Sequence, residues 1–388
     1  MASIRSLRTR PGSAPASPTL VPADLAALYH LDAFYGRGLY GQGESIAFIE
    51  FASPKAADDA AFWARYSLAP TLNRPVATVD PAGVGSTASA LDETDLDLEY
   101  AGALAPGATL TAYLVDATLP LGAFTGALWQ ALADIARSGT RIVSISLGAG
   151  ERDVAASGPF TDPTTGTTHG DFRSFAAALD DWLSALGLVV FVAAGDSGPY
   201  ASFPAGTAVQ ASWPAVQAGV VAVGGTQLAR PGDLTSGEEA WGGQIADPSA
   251  PGYNPSNTLP RASGGGGPAA YVTAPAYQAA LAAPTRRTPD VAAFAGPLRI
   301  VDQGQEIPVW GTSAAAPITA AIAALYHQAT GRDLGHAALY AGARDVASGN
   351  DTNSALLDAG LATLYRASTG YDLCTGMGTP DAAGLPGL

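Results

Sequence analysis

The stretch Leu188-Val189-Val190-Phe191-Val192-Ala193-Ala194-Gly195-Asp196-Ser197-Gly198 decides the fold class. From Leu188 to Ala194 it is apolar without a break, rich in β-branched residues and closed by glycine. A strand with one wet face alternates polar and apolar residues, so an unbroken run of this length belongs to a parallel sheet covered on both faces. The same signature recurs at Ser45–Phe51 (SIAFIEF), Thr109–Val115 (TLTAYLV), Arg141–Leu147 (RIVSISL) and Gly219–Val223 (GVVAV). Between these runs lie helical segments at 57–66, 91–102, 124–138 and 172–186. The alternation predicts an α/β protein: a single large domain whose mostly parallel central sheet is flanked by helices. Asp196 directly follows a predicted strand, at the carboxyl end where open α/β sheets hold their ligands. If protonated, its OH can donate a hydrogen bond to a developing oxyanion.

Working outward, residues 1–23 carry Arg5, Arg8 and Arg10 and then prolines, and read as a flexible tail. No apolar run of seven or more follows the arginines, so no secretory signal peptide is predicted. Residues 24–388 form the folded domain, and the Gly/Pro/Ser/Asn-rich segment 228–290 is expected to make long surface loops. Of the 388 residues, 47% are apolar and only 14% charged, against roughly 25% charged in an average domain. Acidic residues outnumber basic ones 34 to 19, a net charge of −15 that disfavours nucleic acid and anionic membrane surfaces. With so few basic groups, little positive charge accumulates when carboxylates protonate, so the composition permits work at acidic pH. Lys55 is the only lysine and sits in Ser-Pro-Lys-Ala, which excludes a Walker-type phosphate loop. Cys374 is the only cysteine, so neither an internal disulfide nor a thiolate metal cluster is available. His30, His169, His327 and His336 form no His-Glu-x-x-His, so a zinc hydrolase of that type is out.

Two further stretches bear chemistry. Gly311-Thr312-Ser313-Ala314-Ala315-Ala316-Pro317 opens an Ala-rich helix predicted over 314–328, with the proline read as first-turn. Ser313 thus lies at a helix N-terminus, where the dipole favours developing negative charge; a plain N-cap serine is the bland alternative. Leu91-Asp92-Glu93-Thr94-Asp95-Leu96-Asp97-Leu98-Glu99-Tyr100-Ala101-Gly102 reads as a helix with Leu96, Tyr100 and Ala103 towards the core. Glu93 and Asp97, four apart, share a face and their carboxyl groups can meet, so that one keeps a proton. Such a pair can take a proton from serine, with the glutamate as base and the aspartate orienting it. Acidic residues also gather at helix N-termini for the dipole alone, the bland reading here.

Gly195-Asp196-Ser197-Gly198 is also the nucleophile string of trypsin-like proteases. Those enzymes need Ala-Ala-His-Cys and an all-β double barrel, and neither is present. Gly-Thr-Ser-Ala-x-x-Pro is instead the nucleophile motif of the subtilisin-like fold, although its His-Gly-Thr-His partner is missing. Taken together and in order, Glu93-x-x-x-Asp97, Gly195-Asp196-Ser197-Gly198 and Gly311-Thr312-Ser313-Ala314 resemble the sedolisin (serine-carboxyl peptidase) family. Supporting stretches are Ala101–Ala108, Ala222–Thr226 and Pro289–Ala293, and the likeness runs from about Pro22 to the C-terminus. The resemblance implies an acid-acting serine-type peptidase, either an endopeptidase or a tripeptidyl peptidase. It implies Ser313 as nucleophile, Glu93 as general base, Asp97 as its partner and Asp196 as oxyanion acid. It also implies one structural Ca2+ near the C-terminus, held by the carboxylates of Asp345 and Asp372 and the carbonyls of Val346, Ser368 and Gly370. The implied partner is a peptide or unfolded protein substrate, and a monomer is expected.

Three departures from the family pattern stand out. Trp310 takes the place of a glycine or serine before Gly-Thr-Ser, and the segment from Asp345 to Asp372 is longer than usual. The family is made with a large N-terminal prodomain, whereas only residues 1–23 precede the match. A mature form of a secreted enzyme and a prodomain-less intracellular processing peptidase with a near-neutral optimum both fit that arrangement. A non-catalytic peptide-binding scaffold is the alternative from another class.

Overall fold

The computed structural model describes residues 5–6, 19–69, 72, 75–84, 91–243, 262–362 and 364–388. Its main sheet includes the strand Ser45–Glu50 (β1). Val76–Val79 (β2), Thr109–Leu114 (β3), Ile142–Ile145 (β4), Val189–Ala193 (β6), Val221–Leu228 (β7), Glu238–Ala240 (β8) and Val291–Phe294 (β9) join it in one sheet; Leu147–Gly150 (β5) lies apart. The order is β8-β7-β6-β4-β1-β3-β2, with β9 also pairing β7. Every ladder is parallel except that between β7 and β8. The predicted mostly parallel sheet is therefore present.

The apolar runs do what unbroken hydrophobicity demands. Successive side chains point to opposite faces, so Ile46 and Phe48 of β1 enter one core while Ala47 and Ile49 enter the other. In β6, Val189 and Phe191 join the first core, Val190 and Val192 the second. Each such side chain contributes about 1.5–3 kcal/mol by leaving water. Helices Leu121–Ser138 (α3) and Phe172–Leu186 (α4) cover the second core; Leu91–Leu104 (α2) and Thr312–Thr330 (α5) cover the first, and Ala56–Tyr66 (α1) backs α2.

Four expectations are revised. Helix α2, expected to turn Leu96, Tyr100 and Ala103 towards the core, has every residue from Glu93 to Leu104 buried, because it is wedged between α5, α1 and the strand Leu298–Asp302 (β10). Its close approach to α1 depends on Gly102, where a Cβ would stand 2.6 Å from the Trp63 ring. The strand predicted over 141–147 breaks at Ser146, and β5 leaves the main sheet to pair with Ser212–Trp213. Segment 228–290 is not only surface loop. Gly265 is buried with its N–H 2.6 Å from the Gly195 carbonyl, and a Cβ there would sit 2.3 Å from the Ala194 oxygen. Finally, the folded part begins before residue 24: Leu20 is buried and pairs with Leu298, and a helix starts at Pro22. Most of the predicted tail lies outside the described residues; within it, Arg5–Ser6 pairs antiparallel with Leu147–Gly148 of β5.

Candidate active site

The chain reverses direction across the sheet at β1, with β3 on one side and β4 on the other, and a crevice at the carboxyl ends follows from that topology. Glu50 ends β1, Ser146 follows β4, and Asp196 lies just past β6. Helix α5 points its N-terminus into the same place. Gly311 is its N-cap, so Ser313 lies inside the first turn and does not cap it.

Pro317 sits deeper in α5 than expected, and its position has a consequence. It is four residues after Ser313 and has no N–H, so the Ser313 carbonyl loses its helical donor. The Ser146 hydroxyl fills that gap, with Oγ 3.1 Å from the Ser313 carbonyl. The same Oγ is 2.7 Å from Asp97 Oδ2. Asp97 in turn shares a hydrogen bond with Glu50, whose Oε2 accepts from the Thr94 hydroxyl at 3.2 Å. Burial raises Asp97 and Glu50 well above the ordinary carboxyl range. Neighbouring charge, from Glu50 and Glu93 on Asp97 and from Glu93 on Glu50, pushes the same way. These acids therefore hold protons among themselves, as crowded carboxyl groups must.

Asp196 closes the other side. Its Oδ1 accepts from the Thr312 N–H and from the Thr312 hydroxyl, both at 2.8 Å. That hydroxyl accepts in turn from the Gly195 N–H at 3.0 Å. Asp196 Oδ2 is buried and has no hydrogen-bond partner. Burial raises the Asp196 carboxyl well above the aspartate range, the Thr312 bonds oppose this, and the charge of Glu93 adds to it. The proton therefore belongs on Oδ2, where it is free to be donated. Thus the α2 pair Glu93 and Asp97 is brought into one buried cluster with Asp196 and Ser313, which are about a hundred and more residues away in sequence.

The histidines are spent elsewhere. His30 pairs with Asp381 (2.7 Å), His327 with Glu44 (2.9 Å) and His336 with the Val220 carbonyl (3.0 Å), while His169 stands edge-on to Phe175.

A sequence profile of the subtilase family matches residues 82–341. The chain belongs to the subtilase family. It is similar to kumamolisin from Bacillus sp. (strain MN-32), 31% identical over 94% of this chain and 63% of that protein. It is likewise similar to sedolisin from Pseudomonas sp. (strain 101), 31% identical over 76% of this chain and 48% of that protein. The chain thus spans about three-fifths and about half of these two relatives. A solved Pseudomonas sedolisin, described as a serine-carboxyl proteinase complexed with two molecules of pseudo-iodotyrostatin, shares the fold with a TM-score of 0.71. It is 22% identical, and the match covers 95% of this chain and 97% of that one. The resemblance to sedolisins seen in the motifs therefore holds.

In this subtilase, sequence reading missed Glu50, Ser146 and Thr312. Glu50 carried the same signal as Asp196, an acid at the carboxyl end of a buried strand. Ser146 and Thr312 carried none, because serine and threonine are common at strand ends and in first helical turns. Trp310 packs with Trp241, Ala262 and Ala295.

The residues expected to hold calcium gather round one loop. The Gly370 N–H donates to Asp345 Oδ2 (2.8 Å) and the Ser368 N–H to Asp372 Oδ2 (3.0 Å). Thr375 Oγ1 is 3.1 Å from both the Val346 carbonyl and Asp372 Oδ2. An all-oxygen set of two carboxylates and backbone carbonyls suits calcium. Cys374 is buried and free. Among the described residues, no helix is long and apolar enough to cross a membrane.

Proposed function

We propose that this subtilase is a serine-carboxyl peptidase that cleaves peptide bonds at acidic pH through an acyl-enzyme on Ser313. The observation carrying the proposal is the cluster of buried carboxyl groups around a helix N-terminus, with no histidine in its hydrogen bonds. Ser313 Oγ attacks the scissile carbonyl carbon while its proton passes to Glu93. Asp97, tied to Glu50 and Ser146, orients the base. The neutral Asp196 Oδ2–H donates to the oxyanion of the tetrahedral intermediate. Glu93 then returns the proton to the leaving amine, and water releases the acyl group by the same steps in reverse roles.

The edge of β5 that faces away from Ser212–Trp213 supports a peptide substrate. Arg5–Ser6 already lies along it as an antiparallel strand, the way an extended peptide adds to a sheet edge. Calcium, held by Asp345, Asp372 and the carbonyls of Val346, Ser368 and Gly370, would supply oxygen-ligated cross-linking of the C-terminal loop. The test is digestion of a peptide library from pH 3 to 8 with wild type and Ser313→Ala. Acid-side cleavage by wild type and none by the variant is expected. Equal cleavage by both would defeat the assignment.

A further inference from the structure

The chemistry above leaves unused the acids on the other face of α2. There Asp95 meets Asp58 from α1 and Asp302 from the end of β10. One carboxylate oxygen from each lies within 4.8 Å of the other two, and all three residues are buried. Asp58 is held in place by the N–H groups of Gln303 (2.8 Å) and Gly304 (2.9 Å), which turn the chain from β10 into Gln305–Val309 (β11).

Asp95 and its neighbour Asp59 are under-compensated. Lys55, the chain's only lysine, places its Nζ 3.8 Å from Asp58 and 3.7 Å from Asp302. At those distances it forms loose ion pairs and no hydrogen bond. Asp95, fully buried, has an Oδ2 that accepts nothing, and neither oxygen of the adjacent Asp59, 1% exposed, has a partner. Carboxylates that give up water without gaining a donor or a cation are costly. A hard divalent ion meets that need: oxygen ligands at about 2.3–2.6 Å from calcium lie up to about 5 Å apart across the ion, which fits the trio. Lys55 is 30% exposed and free to swing outward on its flexible stem.

We propose that Asp58, Asp95 and Asp302 bind a divalent cation of the calcium class, and that Lys55 covers the site when the ion is absent. The ion would tie α1 and the β10–β11 turn to α2, the helix that carries Glu93 and Asp97. The proposal is independent of the C-terminal calcium loop and of the peptidase reading.

Calorimetric titration of the full chain with CaCl2 tests it, with Asp372→Asn used to silence the C-terminal loop. The Asp372→Asn protein is expected to bind one calcium still, and adding Asp302→Asn to weaken that binding at least tenfold. Lys55→Gln in the Asp372→Asn background should tighten it several-fold, because the built-in competitor is gone. Lys55→Gln also keeps the test open should Asp302→Asn not fold. Absence of calcium binding in Asp372→Asn overturns the proposal. So does a Lys55→Gln protein that melts lower and gains nothing from calcium, which would make Lys55 the permanent counter-ion. If the C-terminal loop itself takes no calcium, wild type shows one ion that is sensitive to Asp302→Asn and not to Asp372→Asn.

Discussion

Helix α2 presents two carboxylate pairs of identical spacing, Glu93/Asp97 and Asp95/Glu99, to two different surroundings. Residues two apart on a helix point to nearly opposite sides, so the first pair meets the N-terminus of α5 and the second meets α1 and β10. Burial is the largest cause raising Asp97, Asp95 and Glu99 alike, Asp95 to about 7. A shifted carboxyl therefore does not distinguish the two faces. What differs is the company. Hydroxyl groups from Ser146, Thr94 and Thr312 hydrogen-bond the acids of the first face; on the second stand a lysine, backbone N–H groups and further carboxylates, which gather charge. The same residue type at the same depth is assigned proton chemistry on one side and cation binding on the other by the two proposals above.

The largest effect should sharpen this contrast most. Ser313→Ala is expected to cost on the order of 10⁶ in kcat, as removal of an acyl-transfer serine does, while calcium binding stays intact. Glu93→Gln should likewise leave no working base; a Gln variant with wild-type turnover would merge the two faces. Asp196→Ala should lower kcat about 10²–10³-fold, the loss typical of one oxyanion donor. Asp196→Asn, which keeps a neutral donor, should lose less. Because Asp196 must be protonated to donate, activity should fall as pH rises through its raised value. In the Asn variant that alkaline limb should move up, and an unmoved limb would remove Asp196 from the scheme.

Glu50→Gln, which loosens Asp97 without touching substrate, should cost up to about 10² in kcat. It has a second readout in stability. Glu50 holds its proton more tightly folded than unfolded. Its contribution is therefore fully present below the ordinary glutamate pKa of about 4.3 and is lost as pH rises towards the folded value. Thermal midpoints measured from pH 4 to 8 should slope downward, and less so in Glu50→Gln. The buried Arg286–Asp290 pair works in the other direction, since Arg286 holds Asp290 below the aspartate range despite burial. Its contribution is lost only as pH falls below that range, outside the window measured. The smallest effect belongs to the far face. Asp302→Asn should cost less in kcat than Glu50→Gln, yet remove a calcium-dependent rise of roughly 3 °C in melting at a hundredfold excess of ion over Kd. A larger kcat loss in Asp302→Asn than in Glu50→Gln would break the separation of the two faces.

The strands at 45, 109, 142 and 189 were legible because continuous apolar runs admit few other structures, and helices α4 and α1 because their periodicity and ends are clear. The candidate site residues Glu93, Asp97, Asp196 and Ser313 were picked out as strings, in order, and their burial in one cluster came only with the structure. Glu50 was missed although its strand was read correctly, since nothing along the chain says that residue 50 will face residue 97. Helix α2 was read with only Leu96, Tyr100 and Ala103 towards the core, since nothing local says that α1 and β10 will also cover Asp95 and Glu99.

Local order alone determined the parallel sheet, the candidate reactive side chains and the absence of a histidine from the serine motif, since these follow from residue type and spacing over a few positions. Tertiary structure decided which acids are crowded together, that the hydroxyl of Ser146 replaces the amide Pro317 lacks, and that two faces of one helix meet different surroundings. Those outcomes depend on distances between segments a hundred or more residues apart, which only packing around a common core can set.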